Sequence, residues 1–131
     1  MNFLCDTNIV SELARLKPNP GVVEWFAGVS SVALSAVTVE EIFYGLASKP
    51  KPAVQSWFEQ FLDSRCRVLP ITAQIAKRSG QMRGKLRSQG RPRTQPDMMI
   101  AATAEIYNLT LVTRNTRDFE GCGISLLNPF T

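Results

Sequence analysis

The stretch from Pro96 to Asn115 leaves the rest of the chain little freedom. Asp97-Met98-Met99-Ile100-Ala101-Ala102-Thr103-Ala104 reads as a helix that opens on an acid and packs through small residues. Asn108 lies in a short loop, and Leu111-Val112-Thr113 is an apolar strand whose far end is the polar pair Arg114-Asn115. A helix that feeds a parallel strand begins on the side of the sheet where strands end, and that side is where such sheets hold ligands. Asp97 and Asn115 are therefore expected to meet.

The remainder alternates in the same way. A short strand over Asn2–Cys5 stops at Asp6-Thr7-Asn8, and Ile9, Val10, Leu13 and Leu16 then fall at helical spacing. Lys17-Pro18-Asn19-Pro20-Gly21 breaks that helix, and Val22, Val23, Trp25 and Phe26 form a second one up to Gly28. Val32–Ser35 is a second strand leading into a helix that starts around Thr38-Val39-Glu40-Glu41 and carries Ile42, Phe43 and Leu46 on its apolar face. Lys49-Pro50-Lys51-Pro52 is a stiff connector to a helix with Val54, Trp57, Phe58, Phe61 and Leu62. Val68–Ile71 is read as a third strand, Thr72 as the start of a long helix through Ile75, Met82 and Leu86, and Ile124–Leu127 as a last strand. This order predicts a three-layer α/β/α sandwich on a mostly parallel, buried sheet. Right-handed crossovers place the first strand near the middle, beside the fourth, with a switch point between Asp6 and Asn115.

Several function classes are excluded by what is missing. The chain has no histidine, so it cannot run a Ser-His-Asp or Cys-His relay, a His-ligated zinc site, or imidazole cleavage of RNA. Catalysis must lean on carboxylates, lysine or a hard metal ion. At 131 residues the expectation is one domain over 1–131, and no apolar run reaches the roughly 18 residues of a membrane span. A soluble, cytoplasmic protein is expected, with Cys5, Cys66 and Cys122 as packed thiols. The net charge is +4, but Lys77, Arg78, Arg83, Lys85, Arg87, Arg91 and Arg93 follow one another with no acid among them. Such a tract suits a polyanion, and equally a solvated helix face.

The acids fall at element ends: Asp6 after the first strand, Glu40 and Glu41 inside the third helix, Asp97 opening the late helix, Asn115 and Asp118 after the fourth strand. Each also has a purely structural reading. Asp6 suits a helix cap, Thr38-x-x-Glu41 a capping box, Asp97 a helix N-terminus, and Asn115 and Asp118 a turn. Convergence on one sheet end favours function, because clustered carboxylates repel unless a cation holds them, and oxygen ligands point to Mg²⁺ or Mn²⁺.

Five segments together carry a resemblance. Leu4-Cys5-Asp6-Thr7-Asn8, Ala36-Val37-Thr38-Val39-Glu40-Glu41-Ile42 with Tyr44-Gly45, Asp97 through Ala104, Leu111 through Phe119, and Asn128-Pro129 resemble, in order, the signatures of the PIN-domain family. Within it the chain is most similar to the VapC toxins of bacterial toxin-antitoxin pairs. The resemblance spans essentially the whole chain. It implies a nuclease cutting RNA with Mg²⁺, or Mn²⁺ as substitute, held by acids matching Asp6, Glu41 and Asp97. The expected catalytic positions are Asp6, Glu41, Asp97 and Asn115, with Asp6 and Asp97 as the direct metal ligands and Glu41 either completing the shell through water or orienting the attacking water. Glu41 is chosen over Glu40 because the family's acid directly precedes an aliphatic residue and stands four before the glycine, as Glu41 does before Ile42 and Gly45. Asn115 departs from the family's fourth acid: its amide supplies one neutral oxygen in place of a carboxylate.

The expected reaction is hydrolysis of an RNA phosphodiester by metal-activated water, leaving 5′-phosphate and 3′-hydroxyl ends, with Thr113 bonding a carboxylate and the basic tract following the RNA backbone. The resemblance further implies a homodimer and a cognate antitoxin packed in a groove near the site, for which Trp25, Phe26, Phe43 and Tyr44 are lining candidates and equally core candidates. Two other readings stand beside it. One is an inactive or weak PIN-like RNA-binding module, on the strength of Asn115. The other is a phosphotransfer domain with Asp6 as acceptor, which expects a lysine beyond a late strand where this chain has Arg114.

Overall fold

The computed structural model describes residues 2–131. Its centre is a sheet of five strands: β1 (Phe3–Cys5), β2 (Val32–Ser35), β3 (Cys66–Leu69), β4 (Thr110–Val112) and β5 (Leu126–Leu127). They lie in the order β3-β2-β1-β4-β5 and every neighbouring pair is parallel. The first strand thus sits in the middle beside the fourth, with Leu4 opposite Leu111 and Cys5 opposite Val112. Six α-helices accompany it: α1 (Thr7–Leu13), α2 (Pro20–Ala27), α3 (Ala36–Ser48), α4 (Pro52–Arg65), α5 (Ala73–Ser88) and α6 (Gln95–Ile106). A 3-10 turn spans Thr116–Phe119.

The strand period of two sends alternate residues to opposite cores. Leu4, Ala33 and Leu111 join Ile75, Met82, Met98, Ile100 and Ala104 of α5 and α6. Cys5, Val32, Leu34 and Val112 face the other way, onto Ile9, Val10, Val22, Phe58 and Phe61 of α1, α2 and α4. The sheet is therefore covered on both faces, as the expected α/β/α layering requires. Ala101, Ala102 and Ala104 are buried, and their lack of bulk lets α6 lie close to the sheet.

Local boundaries differ from the sequence expectation where tertiary pairing outweighs pattern. The α1 helix stops at Leu13, so Leu16 is fully exposed. The cap of α3 is Ser35, whose hydroxyl accepts from the Val37 N–H; Thr38 lies inside the helix and is buried. Thr38 and Glu41 therefore form no capping box. Strand β3 starts at Cys66 directly after α4, because Val32 pairs with Cys66 and Ser35 with Leu69. Val68 is an exposed edge residue and Ile71 packs beyond the strand end.

The three cysteines are free, with Cys5 and Cys122 buried. Burial pushes the Cys5 thiol well up, and that of the half-buried Cys66 up to about 12, which disfavours the reactive thiolate in both.

Candidate active site

The carboxyl ends of β1 and β4 lie side by side, and Asp6 and Thr113 are the residues that follow them. Asp6 continues the ladder through its N–H to Val112 O at 2.9 Å, and Thr113 through its N–H to Leu127 O at 2.9 Å. Asp6 is 6% exposed. Its carboxylate accepts from Thr7 N–H at 2.8 Å, from Asn8 Nδ2 at 3.1 Å and from Thr113 Oγ1 at 2.8 Å. Asp6 does cap α1, as one reading held, yet capping uses only one of these bonds.

The Thr113 hydroxyl shows how this end is ordered. Its oxygen accepts from Asn115 N–H at 3.0 Å and from Asn8 Nδ2 at 3.4 Å, which leaves its proton for Asp6. The expected bond between Thr113 and a carboxylate is present.

Glu41 reaches the same place from α3. Thr7 Oγ1 donates to Glu41 Oε1 at 2.7 Å and lies 3.2 Å from Thr38 Oγ1. Glu40 is exposed and stands outside the cleft, whereas Glu41 lines it. Asp97 enters on the first turn of α6, whose cap is Thr94; the Asp97 N–H donates to Thr94 Oγ1 at 3.3 Å.

Asp6, Glu41, Asp97 and Asn115, drawn from four separate parts of the chain, line one cleft of about 540 Å³. Asp118 lines it too, from the 3-10 turn. Burial raises the Asp6 carboxyl above its ordinary value; its three hydrogen bonds oppose that, and Asp118 adds to it. Burial also raises Asp97, against a hydrogen bond from Thr94, and the charges of Asp6, Asp118 and Glu41 raise it further. The acids therefore sense one another.

Such a donor set fits a hard cation: every candidate ligand is an oxygen, and the mutual repulsion is relieved by positive charge. Among the described residues, however, no three acidic side chains are gathered tightly enough to form a ready metal group. The hydrogen bonds explain this, since Glu41 is held at Thr7, and Asp6 at Thr7, Asn8 and Thr113. Mg²⁺ needs no such cage, because it keeps several waters and takes only one or two carboxylates besides substrate phosphate.

Other residues of the cleft carried no clear sequence signal. Glu12 is 7% exposed on α1 and accepts from Asn19 N–H at 2.7 Å and Arg15 at 3.2 Å. It reads in sequence as an ordinary polar helix position. Arg114 and Phe130 stand at the rim, the guanidinium carbon 4.7 Å above the ring centroid.

The basic tract is only partly free. Arg78 makes a two-pronged pair with Glu105 at 2.6 and 3.0 Å. Arg91 donates to Glu120 O at 3.1 Å, and Arg93 donates to the carbonyls of Arg117 and Asp118. These two fasten the turn that carries Asp118. Lys77, Arg83, Lys85 and Arg87 remain exposed without an ion pair among the described residues.

A parallel α/β sheet with an acidic cleft at the carboxyl ends of the neighbouring strands β1 and β4, in a chain without histidine, defines a class of α/β proteins with a carboxylate-based site. The PIN domain family matches residues 3–121. Toxin FitB of Neisseria gonorrhoeae is 34% identical, covering 98% of each chain, and the tRNA(fMet)-specific endonuclease VapC of Shigella flexneri is 34% identical over 94% of this chain and 93% of its own. The crystal structure of VapBC2 from Rickettsia felis, bound to a DNA fragment from the promoter, superimposes with a TM-score of 0.86 at 27% identity over 98% of each chain. The chain belongs to the PIN-domain family, on the branch of the VapC-type toxins.

Proposed function

We propose that this protein is a metal-dependent endoribonuclease and the toxin of a toxin-antitoxin pair, acting as a single nuclease domain over its 131 residues. The observation that carries the reading is the meeting of Asp6, Glu41, Asp97 and Asn115 in one cleft. Relatives named as ribonucleases and endonucleases support it.

Asp6 and Asp97 would hold Mg²⁺, or Mn²⁺, and Glu41, whose carboxylate accepts from Thr7 at 2.7 Å, would orient the attacking water. When bound, the cation neutralises a phosphoryl oxygen and lowers the pKa of bound water, the work a histidine base does elsewhere. Asn115 contributes a neutral amide whose side chain makes no cap bond to the turn it precedes, so its oxygen is available to orient a water. The exposed Lys77, Arg83, Lys85 and Arg87 follow the RNA backbone by charge, giving affinity that falls with salt. Attack by water excludes a cyclic phosphate, and with the P–O3′ bond breaking and the 3′-oxygen leaving as a hydroxyl, the products carry 5′-phosphates and 3′-hydroxyls.

The antitoxin is assigned to the groove between α1, α3 and α4, about 1210 Å³, which adjoins the cleft through Thr7, Ser11, Arg15 and Glu41. Its walls are Val10, Leu13, Ile42, Leu46, Trp57 and Phe58, an apolar lining suited to a partner helix. Trp25, Phe26 and Phe43 are not among its lining residues and pack against the core, and Tyr44 is exposed outside it. The structures of VapBC2 from Rickettsia felis and VapBC from Salmonella typhimurium are the precedent for such a partner. A homodimer and a cytoplasmic location follow from the family resemblance; no helix among the described residues is long and apolar enough to cross a membrane.

The test is cleavage of a structured RNA pool with Mg²⁺ or Mn²⁺, comparing the wild type, a folded Asp97→Asn and an EDTA control, with product ends mapped. Metal-dependent cuts leaving 5′-phosphates, lost in Asp97→Asn, are expected. Folded, metal-loaded wild type that binds RNA and leaves it intact overturns the reading in favour of an RNA-binding module.

A further inference from the structure

An RNA strand entering this cleft meets Asp6, Glu41, Asp97 and Asp118, so each phosphate flanking the cut is repelled unless a cation stands beside it. Two cations line the cleft, Arg15 and Arg114. Arg15 is already paired with Glu12 at 3.2 Å. Arg114 has no carboxylate partner among the described residues, where the ion pairs are Arg15–Glu12 and Arg78–Glu105.

Arg114 is nonetheless held in place. Its N–H donates to Asn8 Oδ1 at 3.2 Å, its carbonyl accepts from Asn128 Nδ2 at 3.5 Å, and its guanidinium lies 4.7 Å above the Phe130 ring. Phe130 is itself fixed: its N–H donates to Asn128 Oδ1 at 3.0 Å, Pro129 before it is buried, and Thr131 N–H donates to Asn19 Oδ1 at 3.1 Å. A stacked guanidinium keeps its N–H edge free, and none of those N–H groups is spent on an acceptor among the described residues.

We propose that Arg114, stacked on Phe130, binds an RNA backbone phosphate next to the scissile one. The proposal rests on the ribonuclease reading. Arg114 is a substrate-binding residue and Phe130 a positioning residue, since the aromatic face removes rotamer freedom that would otherwise be lost on binding. A bare cation beside four acids would turn inward to pair with them; the stack on Phe130 holds it at the rim, facing the incoming strand.

The experiment uses a single-stranded RNA that the wild type cleaves, unmodified and with one methylphosphonate at a time on either side of the cut. Arg114→Gln is expected to raise KM about tenfold, as loss of a charge-assisted bond would, with kcat little changed. Its salt slope for binding should fall by about 0.7, one phosphate contact on a single strand. One methylphosphonate should weaken the wild type by a similar factor and leave Arg114→Gln unaffected. Phe130→Leu should give part of the KM effect, and Phe130→Trp should restore it.

An unchanged KM and salt slope in Arg114→Gln, or equal sensitivity of both proteins to every methylphosphonate, overturns the proposal. If Arg114→Gln does not fold, the same scan of wild type and Phe130→Leu decides: a phosphate beside the cut that matters to the wild type and less to Phe130→Leu supports the contact, and indifference of the wild type to all flanking phosphates removes it. Should the wild type cleave no RNA, the ribonuclease reading fails by itself, and the salt slopes of wild type and Arg114→Gln in Mg²⁺ still judge the phosphate contact.

Discussion

Thr113 Oγ1 donates to Asp6 Oδ2 at 2.8 Å across 107 positions of sequence, joining the ends of the two central strands. Asn115 N–H and Asn8 Nδ2 both donate to that hydroxyl, so its proton has one destination. Thr113→Val keeps the shape but strips a buried carboxylate of a donor, at a cost of about 1–3 kcal/mol. RNA cleavage should fall as Asp6 loses its orientation, and Thr113→Ser should restore both. Chemical denaturation and cleavage rates measure the two effects; full activity in Thr113→Val would show that Asp6 needs no such guide.

Glu41 and Glu40 are neighbours with opposite surroundings. Glu41 is held by Thr7 inside the cleft, and Glu40 faces solvent. Glu41→Gln should lower kcat by roughly 100-fold, the lower range for a lost acid-base group, and Glu40→Gln should leave it unchanged. Thr7→Val frees the Glu41 carboxylate without removing it, so its effect should be smaller than that of Glu41→Gln. A Glu40→Gln protein as impaired as Glu41→Gln would reverse the assignment.

Asn115 stands where the family's fourth acid is expected. Asn115→Asp would add another carboxylate to a cleft in which Asp97 is already raised by Asp6, Asp118 and Glu41. Without a divalent cation the variant should melt below the wild type; with one, it should need less Mg²⁺ for half-maximal cleavage. Calorimetric titration with Mg²⁺ and with Mn²⁺ separates the two effects. Equal metal affinity in both proteins would mean that position 115 does not face the ion.

How far the sequence foretells this site depends on what sets each position. The parallel order and the meeting of Asp6 with Asn115 were legible, because strand-helix alternation and crossover handedness leave few arrangements. The cap of α3 was not: Thr38-x-x-Glu41 has the right letters, but Ser35 begins the helix and Thr38 turns inward toward Thr7. Strand β3 moved from Val68–Ile71 to Cys66–Leu69 because pairing with β2, not local hydrophobicity, sets its register. Arg91 and Arg93 looked like part of one basic tract. They serve the turn at residues 117–120, a use that depends on contacts distant in sequence.

Stability should carry the imprint of the raised carboxyls. Asp6 and Asp97 both have folded values above the ordinary 3.8, burial being the first cause. A group raised in this way favours the fold below its unfolded value, and that contribution is lost as pH rises through its folded value. The metal-free protein should therefore lose their contribution on going from about pH 4 toward neutrality, and Asp97→Asn should lose less of it. Glu105, lowered by Arg78, acts in the opposite sense, so the difference between wild type and Asp97→Asn is the quantity to follow. Mg²⁺ at neutral pH should raise the wild-type Tm more than that of Asp97→Asn. A pH-independent difference between the two would place Asp97 outside the repelling cluster.

Gly21 offers a test of the tail that carries Phe130. It is a residue of the first turn of α2, where helix propensity alone makes alanine better than glycine by up to about 1 kcal/mol. A Cβ there would stand 2.3 Å from Pro129 O and 2.6 Å from Thr131 Cγ2, far inside contact distance. Because Pro129 is buried and its carbonyl is backbone, the tail must move as a unit, at a cost of about 1–3 kcal/mol. Packing and propensity thus predict opposite signs for Gly21→Ala, and packing is the larger. The variant should melt lower than wild type, and, with Phe130 displaced from Arg114, show a raised KM for RNA while its Mg²⁺ requirement stays the same. If Gly21→Ala is more stable than wild type, the tail does not lie on α2 as described, and the support it gives to Arg114 is lost with it.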